Sequence, residues 1–418
     1  MKRILLLSSV SAAVSLFASV PQVSDVSMTQ NRGTRLVTVS YKVDAPAIVT
    51  FDIQTNGVSI GAVNLTNAYG DVNRRIDKIG ETCKINWQPL DSWPNNIVRD
   101  KSAKAVVTAW SLKSPPDYMA VSLGSRSNVT FYASADAVPA GVTSTVYKTS
   151  VIMMRRIHAA GVRFRMGSPV GETGRENREN PHDVTFTNDY YMGIYPLTVN
   201  QLERVMGSNA AGNTRFAKCA NGSLRPASNF SYALLRGTWW SSTNTSHAVK
   251  TDDGYYLASF RRVTGVEFDM PTEAQWEFAC RAGTTSAFND GTESMDDVGW
   301  NSSNWQNDPN CTSNETHVVG LLKPNAWGLY DMHGNIGEKC LDWFSSGTYY
   351  TDGTEAVEPP GSDKSRESGD GVNYRVVRGG NWNVGAADCR SAKRGFQSHW
   401  EGTGTVGVRF CCPVQFPY

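Results

Sequence analysis

The stretch Gly328 to Trp343, GLYDMHGNIGEKCLDW, constrains the fold of this chain more than any other. It sets Asp331 and Glu338 seven residues apart, with Gly328, Gly334 and Gly337 around and between them. Glycine reaches left-handed backbone at little cost, so the segment can turn tightly enough to aim carbonyls inward. An acid at each end of such a loop suits a hard cation, because calcium gathers about six to eight oxygens from carboxylates and carbonyls. The spacing is not that of an EF-hand loop. The competing expectation is that both acids pair with arginines such as Arg378, Arg390 or Arg394.

Taken in order, the 418 residues are 40% hydrophobic, enough for two or three domains with cores of their own. A net charge of +1 supplies no field toward nucleic acid or an anionic membrane. Lys2 and Arg3 precede an apolar run reaching Ala18, which reads as a secretory signal over residues 1–18. No later stretch reaches the roughly 18 apolar residues of a membrane span, so a secreted or periplasmic location is expected. Cysteines there can oxidise.

Residues 25–148 alternate with period two. Val37, Val39, Tyr41 and Val43 lead, then Val49, Phe51 and Ile53 before Thr55-Asn56-Gly57, then Ile85 and Trp87, and Lys104 to Trp110. This predicts an all-β sandwich of immunoglobulin or fibronectin type, with Cys83 buried and no chemical constellation. A boundary is expected near Ser150. Beyond it, Thr198-Val199-Asn200-Gln201 and Thr272-Glu273-Ala274-Gln275 fit capping boxes, the first closing at Gly207 and the second at Gly283. Ser228 is expected to cap a third helix. The charge run at Gly174 to Asn180, GRENREN, reads as a solvated loop. The six histidines include no pair at i and i+4, which argues against a helical metal site.

The opening stretch resembles the GLYDMxGNVWEWxxDW signature of the formylglycine-generating, or sulfatase-modifying-factor, family. Six further pieces follow the family's order: FRMGS at Phe164, PLTVNQ at Pro196, MPTEAQWEFACRAG at Met270, RVVRGGNW at Arg375, CRSAKR at Cys389 and GVRF at Gly407. The resemblance covers about residues 150–418. It implies an α+β, C-type-lectin-like fold with low regular secondary structure. It also implies calcium held by the side chains of Asp331 and Glu338 and the carbonyls of Gly334 and Ile336. Members that make formylglycine oxidise the cysteine of a sulfatase Cys-x-Pro-x-Arg motif, using oxygen and Cu(I) on two thiolates of a CHxSYC segment. Soft thiolates select Cu(I), so both sulfurs matter. Counted from Gly380, Cys389 falls at the second copper position and is the candidate catalytic residue, but Val384 falls at the first. Counted back from Arg390 and Arg394, even Cys389 shifts away. The copper pair is therefore absent, and valine cannot replace it.

The resemblance further implies a disulfide from Cys280 to Cys411 or Cys412. Only one of those two neighbours can point inward from a strand. Cys340 is a candidate partner for Cys389, while Cys219 and Cys311 stay open. Three functions compete. One is an enzyme acting on sulfatase polypeptides. Another is a binding module for a glycan or protein, with Asn381, Trp382 and Thr405 as substrate-binding residues and Asn383 and Trp400 alongside; aromatics beside amides suit such ligands, whereas core packing is the bland role for the tryptophans. The last is a retroelement-diversified receptor, because GGNWNVGAADCRSAKRG sits where this fold carries hypervariable segments.

Overall fold

The computed structural model describes residues 20–94, 103–124, 129–207, 222–237, 255–292, 294–308, 315–344, 355–357 and 373–414. The secretory signal expected at residues 1–18 lies outside them, as do Cys219 and Cys311. The first strands are β1 (Val23–Gln30), β2 (Val37–Val43), β3 (Ala47–Thr55), β4 (Arg74–Ile76), β5 (Cys83–Trp87) and β6 (Lys104–Trp110). They form two antiparallel sheets, with β2 between β1 and β5 in one and β3 between β4 and β6 in the other. The alternation read from the sequence is the cause. Val37, Val39, Tyr41 and Val43 are buried while their neighbours stay half-exposed, and they share one apolar cluster with Val49, Ile53, Ile85 and Trp87. Asn56 and Gly57 both take positive φ, 51° and 79°, which folds β3 back onto Val58.

The strands that position the site are β7 (Tyr118–Ser122), β8 (Val129–Tyr132), β9 (Val151–Ile157), β10 (Tyr190–Gly193), β11 (Gly337–Trp343), β12 (Tyr374–Arg378), β13 (Gly395–Ser398), β14 (Val406–Gly407) and β15 (Cys411–Pro413). Five of them make a sheet in the order β8-β7-β9-β10-β15, and four make another in the order β13-β12-β11-β14. The boundary expected near Ser150 therefore cuts through hydrogen-bonded structure. Residues 118–122 pair with β9 through Tyr118↔Arg155 to Ser122↔Val151, and 129–132 pair with 118–122 in turn. Alternation along β9 sends Ile152 and Met154 into one core cluster and Met153 and Ile157 into another. Cys411 and Cys412 divide the same way.

Helices are short: α1 (Val199–Met206), α2 (Tyr232–Arg236), α3 (Tyr256–Thr264) and α4 (Glu273–Arg281). Both capping boxes form. The Thr198 hydroxyl accepts from the Gln201 amide at 3.2 Å and the Thr272 hydroxyl from the Gln275 amide at 3.1 Å. The third helix is capped by Ser231, whose hydroxyl accepts from the Leu234 N–H at 2.9 Å; Ser228 instead bridges Gly407. α3 carries no side-chain cap, so the sequence offered no start signal for it. Ala282 rather than Gly283 closes α4 in left-handed backbone, at φ 46°.

α4 is the hub of a buried ionic frame. Arg394 grips both oxygens of Glu273 at 2.7 and 2.8 Å. Glu277 accepts from Arg281 at 2.9 Å, from the Gly167 amide at 2.8 Å, and from Arg378. Arg378 also donates to the carbonyls of Ser391, Ala392 and Lys393, tying β12 to the CRSAKR segment. The GRENREN loop is part of this frame rather than a solvated run. Its Glu179 is buried, accepting twice from Arg390 at 2.9 Å and from the Ser168 hydroxyl at 2.7 Å. Burial alone would raise Glu277, but Arg281 and Arg378 outweigh it and hold the carboxyl below its ordinary value.

Removing one member leaves an unpaired buried charge, so Glu277→Gln is expected to lower unfolding free energy by about 3–5 kcal/mol in urea titration. Because the native carboxyl titrates low, its contribution is complete above the unfolded value and is lost as pH falls through the native one. The variant should therefore show a shallower loss of stability between neutral pH and acid; an unchanged midpoint and unchanged acid slope would refute the role of the frame.

Candidate functional site

β11 alternates between two environments, and its inward residue is Glu338. Arg409 holds that carboxylate in a fork, Nη2 to Oε1 at 2.7 Å and Nε to Oε2 at 2.9 Å, and Trp276 Nε1 donates to Oε2 at 2.7 Å. Arg409 is anchored in turn on the carbonyls of Gly193 and Tyr330 at 2.9 and 2.7 Å. The arginine partner is thus neither Arg378, Arg390 nor Arg394 but one from the GVRF segment. Asp331 lies in left-handed backbone at φ 56°, its carboxylate accepting from the Gly320 amide at 2.7 Å and from Asn335 Nδ2 at 3.2 Å. Burial pushes its carboxyl up, against the opposing pull of the Gly320 amide and Arg409. The Gly334 carbonyl accepts from the Ile336 amide at 2.7 Å, and a Cβ at Gly334 would run into the Trp300 carbonyl. As they stand, Asp331, Gly334, Ile336 and Glu338 do not form an open calcium cage. The acceptor positions of Glu338 are filled by cationic and N–H donors, so an added cation would lie against a guanidinium. Among the described residues no three His, Cys, Asp or Glu side chains gather as a metal site.

The candidate catalytic residue, Cys389, is buried with its Sγ 3.9 Å from the Asn381 carbonyl. Burial pushes its thiol up to about 12. Val384 packs against the apolar cluster of Ala287, Phe288, Met295, Val298 and Cys389, so the position opposite the thiol is hydrocarbon. The glycine pair serves this packing, since a Cβ on Gly380 would fall 2.5 Å from the Cys389 sulfur. His333 lies beneath. Its Nδ1–H donates to the Cys389 carbonyl at 2.7 Å and Nε2 accepts from the Asn289 amide at 3.0 Å, while burial lowers its pKa to about 4. A neutral imidazole and a protonated thiol make no nucleophile. The disulfides implied by the resemblance do not form: Cys280, Cys340, Cys389, Cys411 and Cys412 are free, buried thiols. Cys280 Sγ lies 3.7 Å from both Ser391 Oγ and His333 Nε2, Cys411 Sγ faces Gln275 Oε1, and Cys412 Sγ faces Met154 Sδ.

The outward residues of β11 and β12 line a different feature, a cleft of about 490 Å³ between the four-stranded sheet and the loop Gly380–Asp388. Gly337, Val377, Phe396, Thr405 and Val406 contribute walls, and Asn381 and Asp388 the opposite rim. Two of the three expected substrate-binding residues, Asn381 and Thr405, lie in it. Trp382 does not line it; it is half-buried, with Nε1 lacking a hydrogen-bond partner among the described residues. Trp400 is exposed elsewhere. Sequence reasoning missed Gln397 and Lys339. Lys339 is fully buried and donates to Gln397 Oε1, and Gln397 Nε2 donates to Thr403 Oγ1 at 3.0 Å. Burial, helped by Arg375, lowers the Lys339 ammonium to about 7. The signal for Lys339 was a charge directly after Glu338 in a strand buried along nearly all its length.

Low helix content, mixed sheets and a motif-built ionic frame define a loop-rich α+β module. The family model for the sulfatase-modifying factor enzyme 1-like domain matches residues 148–412, more than half the chain, and the chain belongs to that family. It is 24% identical over 317 residues to the formylglycine-generating enzyme of Mus musculus, covering 68% of this chain and 81% of that one. It is 33% identical over 150 residues to the Streptomyces coelicolor formylglycine-generating enzyme, covering 34% of this chain and 45% of the relative. The serine/threonine-protein kinase pkn1 of Chlamydia caviae is 26% identical over 262 residues, 63% of this chain, which spans only 38% of that protein. Among solved structures, Treponema denticola variable protein 1 aligns over 63% of this chain and 96% of its own, with TM-score 0.47 and 23% identity. No helix among the described residues is long and apolar enough to cross a membrane.

Chelation with EDTA is expected to leave the melting temperature unchanged. A raised native carboxyl favours folding only while protonated, a contribution lost as pH rises through the native value. Asp331→Asn should therefore match or exceed the parent in a neutral-pH melt. A lower melt in both experiments would restore calcium to this loop.

Proposed function

We propose that this chain binds a polypeptide ligand in the cleft beside Asn381 and Thr405 and does not oxidise a client cysteine. The observation that carries the reading is the pairing of a sealed thiol with an open cleft. Cys389 faces hydrocarbon from Val384 and its cluster, whereas the cleft next to it is roomy and lined by amides, hydroxyls and apolar side chains. Oxygen chemistry on Cu(I) asks for two thiolates at one point. Here one thiol is present, protonated at any physiological pH and turned inward. Specific binding asks instead for a concave surface with a few placed polar groups, which the cleft supplies. The reading places the protein outside the cytoplasm, on the Lys2–Arg3 pair and the apolar run after it. It also takes the two facing sheets of residues 23–110 as an immunoglobulin-like spacer, since no chemical constellation lies on them.

Incubation of the full chain with Cu(I), oxygen and a Cys-x-Pro-x-Arg peptide is expected to leave the peptide's thiol mass intact; catalytic loss of that mass would sink the reading. Cys389 itself should resist iodoacetamide in the native state and react once the chain is unfolded in urea.

A further inference from the structure

β11 carries a charge that the frame does not explain. Glu338 and Arg378 face the ionic frame, while Gly337, Lys339 and the cross-strand partner of Lys339, Val377, face the cleft side of the sheet. Arg375 and Gln397 pair across β12 and β13 on that same side. Where the family signature has a tryptophan on each side of the glutamate, this chain has Gly337 and Lys339. The exchange replaces two large apolar rings with an opening and a cation.

That cation has no carboxylate in contact, although Glu401, which also lines the cleft, acts on it from farther off. Lys339 and Arg375 are both buried, and among the described residues neither makes an ion pair with a carboxylate. The ammonium of Lys339 hydrogen-bonds the neutral amide of Gln397, and Arg375 donates to the Leu341 carbonyl at 2.6 Å and stacks on Trp343 and Tyr232. Every other fully buried arginine of the frame reaches a carboxylate, as Arg378, Arg390 and Arg409 do. Asp342 and Asp269 act on Arg375 only from a distance, and two neighbouring buried cations with no carboxylate in contact are costly unless something supplies one. Gln397 is a cleft wall, so the route to Lys339 leads through the cleft.

We propose that the inner wall of the cleft receives the carboxylate of an acidic side chain on a polypeptide ligand, which takes over from Gln397 as the partner of Lys339. This rests on the binding reading above and names its ligand chemistry. A flexible Asp or Glu side chain can reach past Gln397. A pyranose ring bearing the acid directly needs a flat aromatic floor, and Tyr374 and Phe396 stand edge to face at 74° instead. Thr403, Thr405 and Asn381 line the path with groups that suit peptide N–H and carbonyl partners.

The test uses the full chain and two fluorescein-labelled peptides that differ only in Glu against Gln at alternate positions, read by anisotropy, with oligogalacturonate as competitor. The Glu peptide should bind about tenfold tighter than the Gln peptide, a preference that Lys339→Met abolishes. Equal affinities, or a preference that survives in Lys339→Met, would overturn the proposal, and so would binding of neither peptide. Displacement by oligogalacturonate at lower concentration than unlabelled Glu peptide would overturn the choice of a polypeptide. A ligand-free melt guards against misfolding of the variant. Loss of an uncompensated charge should keep or raise the melting temperature, whereas a fall would assign Lys339 a partner within the chain and overturn the inference. Gln397→Leu, which leaves Lys339 in place, should retain the Glu preference. Thiol loss from the sulfatase-motif peptide is a separate readout, so failure of the binding reading and failure of this inference are told apart.

Discussion

Guanidinium–carboxylate contacts inside the domain are the interaction on which everything else depends. A module whose described residues form only short helices and loop-rich connections cannot rely on backbone ladders alone to fix its chain. It fixes the loops by side chains that reach across long sequence separations. Arg394 to Glu273, Arg378 to Glu277, Arg390 to Glu179 and Arg409 to Glu338 span 121, 101, 211 and 71 residues. Each guanidinium also closes on backbone carbonyls, so one side chain satisfies a loop as well as an acid. The geometry explains why the motif pieces contain the residues they do. FRMGS offers the Gly167 amide to Glu277, the α4 segment supplies Glu273 and Glu277, GRENREN and β11 supply Glu179 and Glu338, and RVVRGGNW, CRSAKR and GVRF supply the arginines.

Much of this was legible before any coordinates. Strict alternation at Val37–Val43 and the Asn56-Gly57 turn gave strands and their connection, because one buried face per strand leaves no other register. The two Thr-x-x-Gln boxes gave α1 and α4, because a cap is a local device whose partners lie within three residues. The ionic frame was not legible in detail. Nothing local distinguishes Arg409 from Arg394 as the partner of Glu338, and the choice is made by which strand β11 lies beside. For the same reason GRENREN read as solvated; its Glu179 is buried against an arginine more than two hundred residues on. The boundary near Ser150 agrees with the start of the family match at residue 148, while the sheet of β8, β7 and β9 continues through it.

The resemblance carried chemistry further than the residues allow. Cysteine positions matched a family pattern of sulfur pairing, yet pairing needs sulfurs within bonding reach, and strand alternation sends Cys411 and Cys412 into separate cores. Cys389 shows the same limit from another side. Its place beside the glycine pair is kept, because Gly380 and the sulfur pack against each other, but the environment that would make a thiolate is gone. Burial raises the thiol, and burial likewise holds the nearby His333 neutral, against the opposing pull of its hydrogen bond to the Cys389 carbonyl. What remains at this point is packing.

Alternation along β11 separates these roles. Inward, Glu338 is locked by Arg409 and Trp276, and no substitution there is free of the frame. Outward, Gly337 lines the cleft and Lys339 lies behind its Gln397 wall, where the frame imposes nothing beyond volume. A strand built this way can hold its architecture through one face while the other changes its chemistry, and the departures from the family signature at positions 337 and 339 fall on the second face alone. A lysine that merely drifted into an apolar wall would cost the fold a desolvated charge with no return. Its placement beside Arg375, with a neutral amide as its hydrogen-bond partner, is the kind of local inconsistency that marks a working surface rather than a supporting one.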